Sequence, residues 1–352
     1  MNQLLKVLTP LFLIIVYIVF TTLYNKAIEP VRGYPIWMKD TAGMYSQQTS
    51  GLYFIGRVEK KKFFLSANDN GRIDRISVDD SYFPPKFDIQ VLHFEVSSTA
   101  KYFQTLAKLD FEDIVYDKLT NKIFVSIEGN SGINDMNPPQ ITTSKKTEQV
   151  CELSFNKTIL DCDTLKNIRK ISMPDTIFKY TNDNIGFEGM GITDNYFFMG
   201  LENITDEDGQ FSDSTYLYIV GRKTNDVKVI PSKLFNAKTV TSLCAVDDYN
   251  LYGVDRDSKK IFNIKFNKDF TIKEVKSQPF ELTMPGHTDI SMERMAGVEA
   301  IALDDEGYIY TDMDPWSDLF RSNFTPKNFF TAEDLWCISK LVPVLYKYKN
   351  PF

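Results

Sequence analysis

The chain has 352 residues, 43% hydrophobic and 25% charged, a composition that suits a packed globular fold and excludes a disordered one. Its net charge of −7, with no basic block, argues against nucleic acid and anionic lipid headgroups as partners. With only two histidines, His93 and His287, a His-rich zinc site cannot be built, so any metal would be held by oxygens.

The first element is apolar. Val7 to Tyr24 run 18 residues without a charge, roughly 27 Å as a helix and enough to cross most of a bilayer core. Residues 1–29 are therefore expected to be an N-terminal membrane anchor, with a cleaved signal segment as the alternative. Asn25-Lys26-Ala27 is a poor cleavage site, and no cysteine follows for a lipid. The remainder, 30–352, is expected to be one extracytoplasmic domain, periplasmic in a bacterium and secreted if the segment is cleaved.

Beyond the anchor, aromatic and β-branched runs are broken by Asn, Asp and Gly every 8 to 12 residues, an all-β pattern supported by 27 Phe and 18 Tyr. Phosphate loops, nucleophile elbows and Cys-x-x-Cys pairs are missing. Taken in chain order, GLYFIGRVEKKKFFLSAND (51–69) is a weak first copy of a hairpin that recurs. Clear copies are FEDIVYDKLTNKIFVSIEGN (111–130), FEGMGITDNYFFMGLEN (187–203), TSLCAVDDYNLYGVDRD (241–257) and VEAIALDDEGYIYTDMD (298–314). They open on Glu112, Glu188, Ser242 and Glu299, turn, and close on Glu128, Glu202, Asp255 and Asp312; the weak copy closes on Asn68.

The openings are separated by 76, 54 and 57 residues, the longest interval being filled by a polar loop over 130–147. Periods of this size, each with room for four strands, are those of propeller blades. The expected fold is an all-β propeller of five four-stranded blades, or six if the termini build one jointly, preceded by one transmembrane helix. Between the second and third copies, Cys151 and Cys162 flank Asn156-Lys157 symmetrically, leaving either a cross-strand disulfide or two free thiols. Arg222 and Lys60 to Lys62 read as surface charges.

Opening and closing residues of one hairpin lie at its open end, opposite the turn. If the hairpins are the inner strands of blades, Glu112, Glu188 and Glu299, with Glu128, Glu202, Asp255 and Asp312, ring one mouth of the central channel. Clustered carboxylates repel one another unless a cation sits among them, and Ca²⁺ takes 6–8 oxygen ligands. Arg256 and Arg294 are the best-placed cations for a bound substrate, and His287 is a candidate proton carrier near Glu299.

The element NIGFEGMGI (184–192), with FEDIVYD (111–117) and VEAIALD (298–304), resembles the phytase-like esterase propellers of bacteria, where a Glu followed by a small or apolar pair opens successive inner strands. IFVSIEGN (123–130) is similar to that family's second-strand motif, and the resemblance covers roughly residues 50 to 330. It implies a calcium-friendly mouth, with Glu112, Glu188 and Glu299 lining it, and hydrolysis of carboxylic or phosphoric esters. Ser242 in place of a fourth Glu, and the lack of a Lys/Arg cluster, depart from it and weaken a polyphosphate substrate. A metal-dependent ester or phosphoester hydrolase is the leading expectation. The rivals are a non-enzymatic module binding a protein or glycan of the cell envelope, and a gluconolactonase-like lactonase.

Overall fold

The structure, a computed structural model, describes residues 28–103, 110–128, 148–182, 185–205, 209–315, 325 and 327–352. Two compact units divide the chain, Met1–Pro30 and Val31–Phe352. The helix expected at 7–24 and the polar loop at 130–147 lie outside the described residues, among which no helix is long and apolar enough to cross a membrane.

Among the described residues of the second unit, regular structure is mostly strand. After β1 (Val31–Arg32) and β2 (Tyr34–Trp37), an antiparallel meander runs through β3 (Thr49–Val58), β4 (Lys61–Asn68), β5 (Arg72–Asp79) and β6 (Lys86–Phe94). Helix α1 (Val96–Phe103) leads to the second meander, β7 (Asp110–Asp117), β8 (Lys122–Glu128), β9 (Gln149–Phe155) and β10 (Thr164–Lys170). The third is β11 (Phe187–Ile192), β12 (Tyr196–Leu201), β13 (Tyr216–Gly221) and β14 (Val227–Pro231); the fourth is β15 (Ser242–Asp247), β16 (Asn250–Asp255), β17 (Lys260–Phe266) and β18 (Ile272–Glu281). A hairpin of β19 (Thr283–Met284) and β20 (His287–Ser291) precedes β21 (Ala296–Leu303), β22 (Tyr308–Pro315), helix α2 (Ala332–Ser339) and β23 (Val344–Lys349).

The last sheet takes its outer strand from the other end of the unit: β2 pairs with β23, Ile36 opposite Leu345. β1 adds to β18 in parallel. The outer strands β6 and β10 join over His93 and Phe94, merging the first two meanders into one eight-stranded sheet. The first strands β3, β7, β11, β15 and β21 touch in cyclic order, β21 against β3 closing the ring. The architecture is all-β and propeller-like.

Adjacent residues on a strand face opposite ways, and both faces of each sheet are covered. Phe64 packs with Ala300, Tyr310 and Leu345 of the last meander, while its neighbour Leu65 packs with Ile114, Val125 and Leu153 of the second. Phe197 joins Val115 and Phe124 on one side, and Phe198 joins Leu243 and Phe262 on the other. The strands therefore read as continuous apolar runs instead of alternating ones.

One open alternative is decided here, in favour of free thiols, and two expectations change. Cys151 stands opposite Lys170, and Cys162 lies in the turn beneath Arg75; all four cysteines are free thiols. The β9–β10 connection spans residues 156–163, longer than the two-residue hairpin that would have paired the cysteines. Lys62 is buried, with its ammonium 2.7 Å from Asp304 and 2.7 Å from Glu306. Arg222 is likewise drawn inward by Asp117 and the Thr193 carbonyl.

Candidate functional site

Four of the five first strands carry a register shift at the same place. It falls between Thr49 and Gly51, Phe111 and Ile114, Phe187 and Gly189, and Val298 and Ala300. Such shifts mark β-bulges, in which one residue leaves the ladder, the strand bends and the side chain is re-aimed. The residues set free are Ser50, Glu112 with Asp113, Glu188 and Glu299.

In β15 the matching position is Thr241. Asp113 accepts the Met190 N–H at 2.6 Å, and Ser242 Oγ accepts the Ile301 N–H at 2.9 Å. Both bonds bridge to the next first strand two residues past its glutamate, so Ser242 corresponds to Asp113 and Thr241 to the glutamates. Thr241 donates to the Val298 carbonyl at 3.1 Å. The departure at Ser242 read from the sequence is thus a departure at Thr241.

On the second strands, Asn68, Ile127, Leu201 and Met313 pair with Thr49, Phe111, Phe187 and Val298, the residues before the bulges, and Val254 pairs with Ser242. The next residues are Asp69, Glu128, Glu202, Asp255 and Asp314. Asn68 and Asp312 are therefore not the closing residues of their hairpins, because bulges offset the two strands. Asn68 instead donates to the Arg72 carbonyl, and Asp312 is fully buried opposite Ala300, below the mouth.

The mouth has two sides. On one, Arg256 leaves β16 and reaches Glu299 at 2.6 Å, Glu188 at 3.4 Å and Glu202. Its side chain is 16% exposed. Burial and the Glu202 charge hold the Glu188 carboxyl well above the usual carboxylate range, against the pull of Arg256. On the other side, oxygens of Asp69, Asp110 and Glu112 lie within 4.8 Å of one another. Burial, then Glu128, Asp69 and Asp110, push the Glu112 carboxyl well up. Burial does the same to Asp314, Asp312 and Asp113, each aided by another carboxylate.

A hard cation with oxygens at 2.3–2.6 Å places its ligands up to ~5 Å apart. Asp69, Asp110 and Glu112 fit that span and donor type, and their mutual repulsion is what a bound cation would relieve. Glu128 adds a carboxylate close by. A Cβ at Gly186 would meet the Glu148 carboxylate and come within 3.2 Å of Glu128 Oε1, so a larger residue before Phe187-Glu188 would push these two carboxylates aside. Glu148 also accepts the Phe187 N–H at 3.2 Å.

The other sequence candidates fall elsewhere. Asp255 accepts hydrogen bonds from the backbone of Lys238, Thr239 and Ser258 and from the Thr239 hydroxyl, a structural role that leaves it poorly placed as a ligand. His287 bonds Asp334 at 3.0 Å, between Phe329 and Phe330, so it is not the neighbour of Glu299 that was expected. Arg294 is exposed in the turn before β21. Sequence reasoning missed Asp69, Asp110, Glu148 and Asp314. Asp110 had a signal, standing beside Phe111 at the start of a recognised strand. Glu148 had none.

A closed ring of first strands with acids gathered at its open end defines an all-β protein with a carboxylate-lined central mouth. Residues 47–303 match the family described as "Phytase-like: Esterase-like activity of phytase", and the chain belongs to that family. No curated protein matches it in sequence.

Among solved structures it is similar to a luciferin-regenerating enzyme, with 10% identity, 90% of this chain and 96% of that one covered, and a TM-score of 0.45. It is also similar to the PQQ-bound aldose sugar dehydrogenase of Streptomyces coelicolor, with 8% identity, 91% and 99% covered, and a TM-score of 0.39. A third is an exo-β-1,3-galactanase variant of Phanerochaete chrysosporium with β-1,3-galactotriose, with 9% identity, 90% and 63% covered, and a TM-score of 0.45.

Proposed function

We propose that the acidic mouth is the active site of a calcium-dependent hydrolase of carboxylic or phosphoric esters. Its scaffold is a five-bladed propeller whose last blade is completed by β2. The chain acts outside the cytoplasm, held at the membrane by its N-terminal segment. The observation that carries the reading is the convergence of Asp69, Asp110 and Glu112 within 4.8 Å, facing a guanidinium held by three glutamates.

Asp69, Asp110 and Glu112 would hold the cation, with Glu128 near them. When bound, such an ion polarises an ester or phosphoryl oxygen and lowers the pKa of a bound water. Glu188 is the group for proton transfer: burial and the Glu202 charge raise its affinity for a proton, the direction that suits delivery to a leaving alkoxide. Arg256 is fixed by Glu188, Glu202 and Glu299, so a substrate oxygen arriving there meets a donor that needs no reorganisation. One arginine at the mouth suits an ester of low charge better than a polyphosphate.

The test is turnover of p-nitrophenyl acetate and p-nitrophenyl phosphate by residues 30–352 with calcium or EDTA. Calcium-dependent turnover of at least one ester is expected, with Glu188→Gln lowering kcat ~10²–10⁴-fold while still folding. If neither ester is hydrolysed with calcium present, or Glu188→Gln matches wild type, the proposal fails.

A further inference from the structure

The turn ends of the same inner hairpins, opposite the acids, surround a second cleft. The β7–β8, β11–β12 and β15–β16 turns enclose about 790 Å³, within the ~300–1,000 Å³ of small-molecule sites. None of its lining residues belongs to the acidic mouth. Tyr53 of β3 and Tyr116 of β7 reach into it from the ring, and Tyr249 from the β15–β16 turn. Tyr53 is half-buried, and its hydroxyl has no hydrogen-bond partner among the described residues.

The charges of this cleft balance. Asp194, Asp247 and Asp248 share the lining with Lys118, Lys265 and Lys273, while Asp117 is paired with Arg222 and Lys265 with Glu274 outside the lining, so the cleft carries no strong excess of either sign. Polyanions and cations gain little here, in contrast to the mouth. The turns have no glycine-rich loop to cradle a phosphate. Polar groups along the rim also break up any apolar track for an acyl chain.

Two features remain for recognition. Asn195 donates to Asp248 at 2.7 Å across two turns, presenting an amide beside a carboxylate. Such a pair offers both donors and acceptors at the spacing of neighbouring hydroxyls. Tyr249 packs against Phe270 and the Tyr116 hydroxyl donates to Asn121, so the tyrosines add the Tyr53 phenol and the side of the Tyr249 ring that lines the cleft, a surface suited to C–H-rich ligands.

We propose that this cleft binds a neutral oligosaccharide, with Tyr249 as the packing face and Asn195 with Asp248 as the hydroxyl-reading pair. The site stands apart from the ester-hydrolase reading and survives its failure.

The experiment is calorimetric titration of residues 30–352 with maltotriose, cellotriose and chitotriose. Three variants join the wild type: Tyr249→Ala, Val246→Arg and the mouth variant Glu188→Gln. Val246 lines the cleft and is 48% exposed, so an arginine there fills the space without entering the core. At least one trisaccharide should bind with a Kd of ~1 mM or tighter. Val246→Arg, and Tyr249→Ala if it folds, should weaken it at least ~10-fold, whereas Glu188→Gln should not. No binding of any trisaccharide at ~10 mM overturns the proposal. So does binding that survives in folded Val246→Arg, or that is lost in Glu188→Gln.

Discussion

The two ends of the inner hairpins are built from the same strands and carry opposite electrostatics. At the open end, Glu112, Glu299 and Asp314 are buried and Glu188 half-buried beside other carboxylates, and three of the glutamates there share Arg256. At the turn end, Asp194, Asp247 and Asp248 line a cleft together with Lys118, Lys265 and Lys273. Turn acids are common because Asp and Asn bond their own backbone, as Asp247 does to the Tyr249 N–H at 2.7 Å. Solvent screens them at little cost. The open-end acids have no such local reason. Glu112, Glu188 and Glu299 stand on bulges that turn them toward the second-strand acids in a narrow ring where water is scarce, so the cluster holds protons, a guanidinium or a cation. An acid read from a sequence therefore says little until its end of the strand is known.

The largest expected effect that could break this comparison is at Arg256. Arg256→Leu should destabilise the chain by about 3–5 kcal/mol near neutral pH, because it leaves carboxylates buried without their counter-charge. Denaturant unfolding measures it; a loss under ~1 kcal/mol would mean the glutamates are neutral already.

A second expectation concerns pH. Glu112, Glu188, Asp113, Asp312 and Asp314 all bind protons more tightly when folded. Above the unfolded values of ~4, the folded chain keeps protons that the unfolded chain has lost. Stability should then fall as pH rises through the folded-state values, and be greatest near the bottom of that window. Melting curves in EDTA from pH ~5 to ~8 should show the midpoint declining, and calcium should flatten the decline by binding the ionised acids. A midpoint insensitive to pH in both buffers would contradict the raised proton affinities.

The smallest effect belongs to the turn end. Asp248→Ala removes the bond to Asn195 and should shift stability by no more than ~0.5 kcal/mol. A larger loss would show that the turn end also holds the ring together, which would erase the contrast.

Much of this was legible in the residues. The hairpins that open on Glu112, Glu188 and Glu299 fall where their repeat puts them, because short apolar strand runs and Asp/Asn/Gly turns are local features. The clustering of acids at the open ends followed from hairpin symmetry. Register did not follow. A bulge changes pairing without changing composition, so Asp312 and Asn68 were read as closing residues where Asp314 and Asp69 stand.

By itself, the sequence determined an all-β chain of repeated hairpins, with acids at the ends away from the turns, because strand period and turn chemistry act within a few residues of one another. The tertiary structure alone decided that β2 completes the last sheet. It also decided that Asp69 of the first meander meets Asp110 and Glu112 of the second, and that Arg256 of the fourth serves three glutamates of the third and last. These are contacts between residues far apart in the chain. They exist only once packing between sheets closes the ring, and no local pattern encodes which side chains that closure brings face to face.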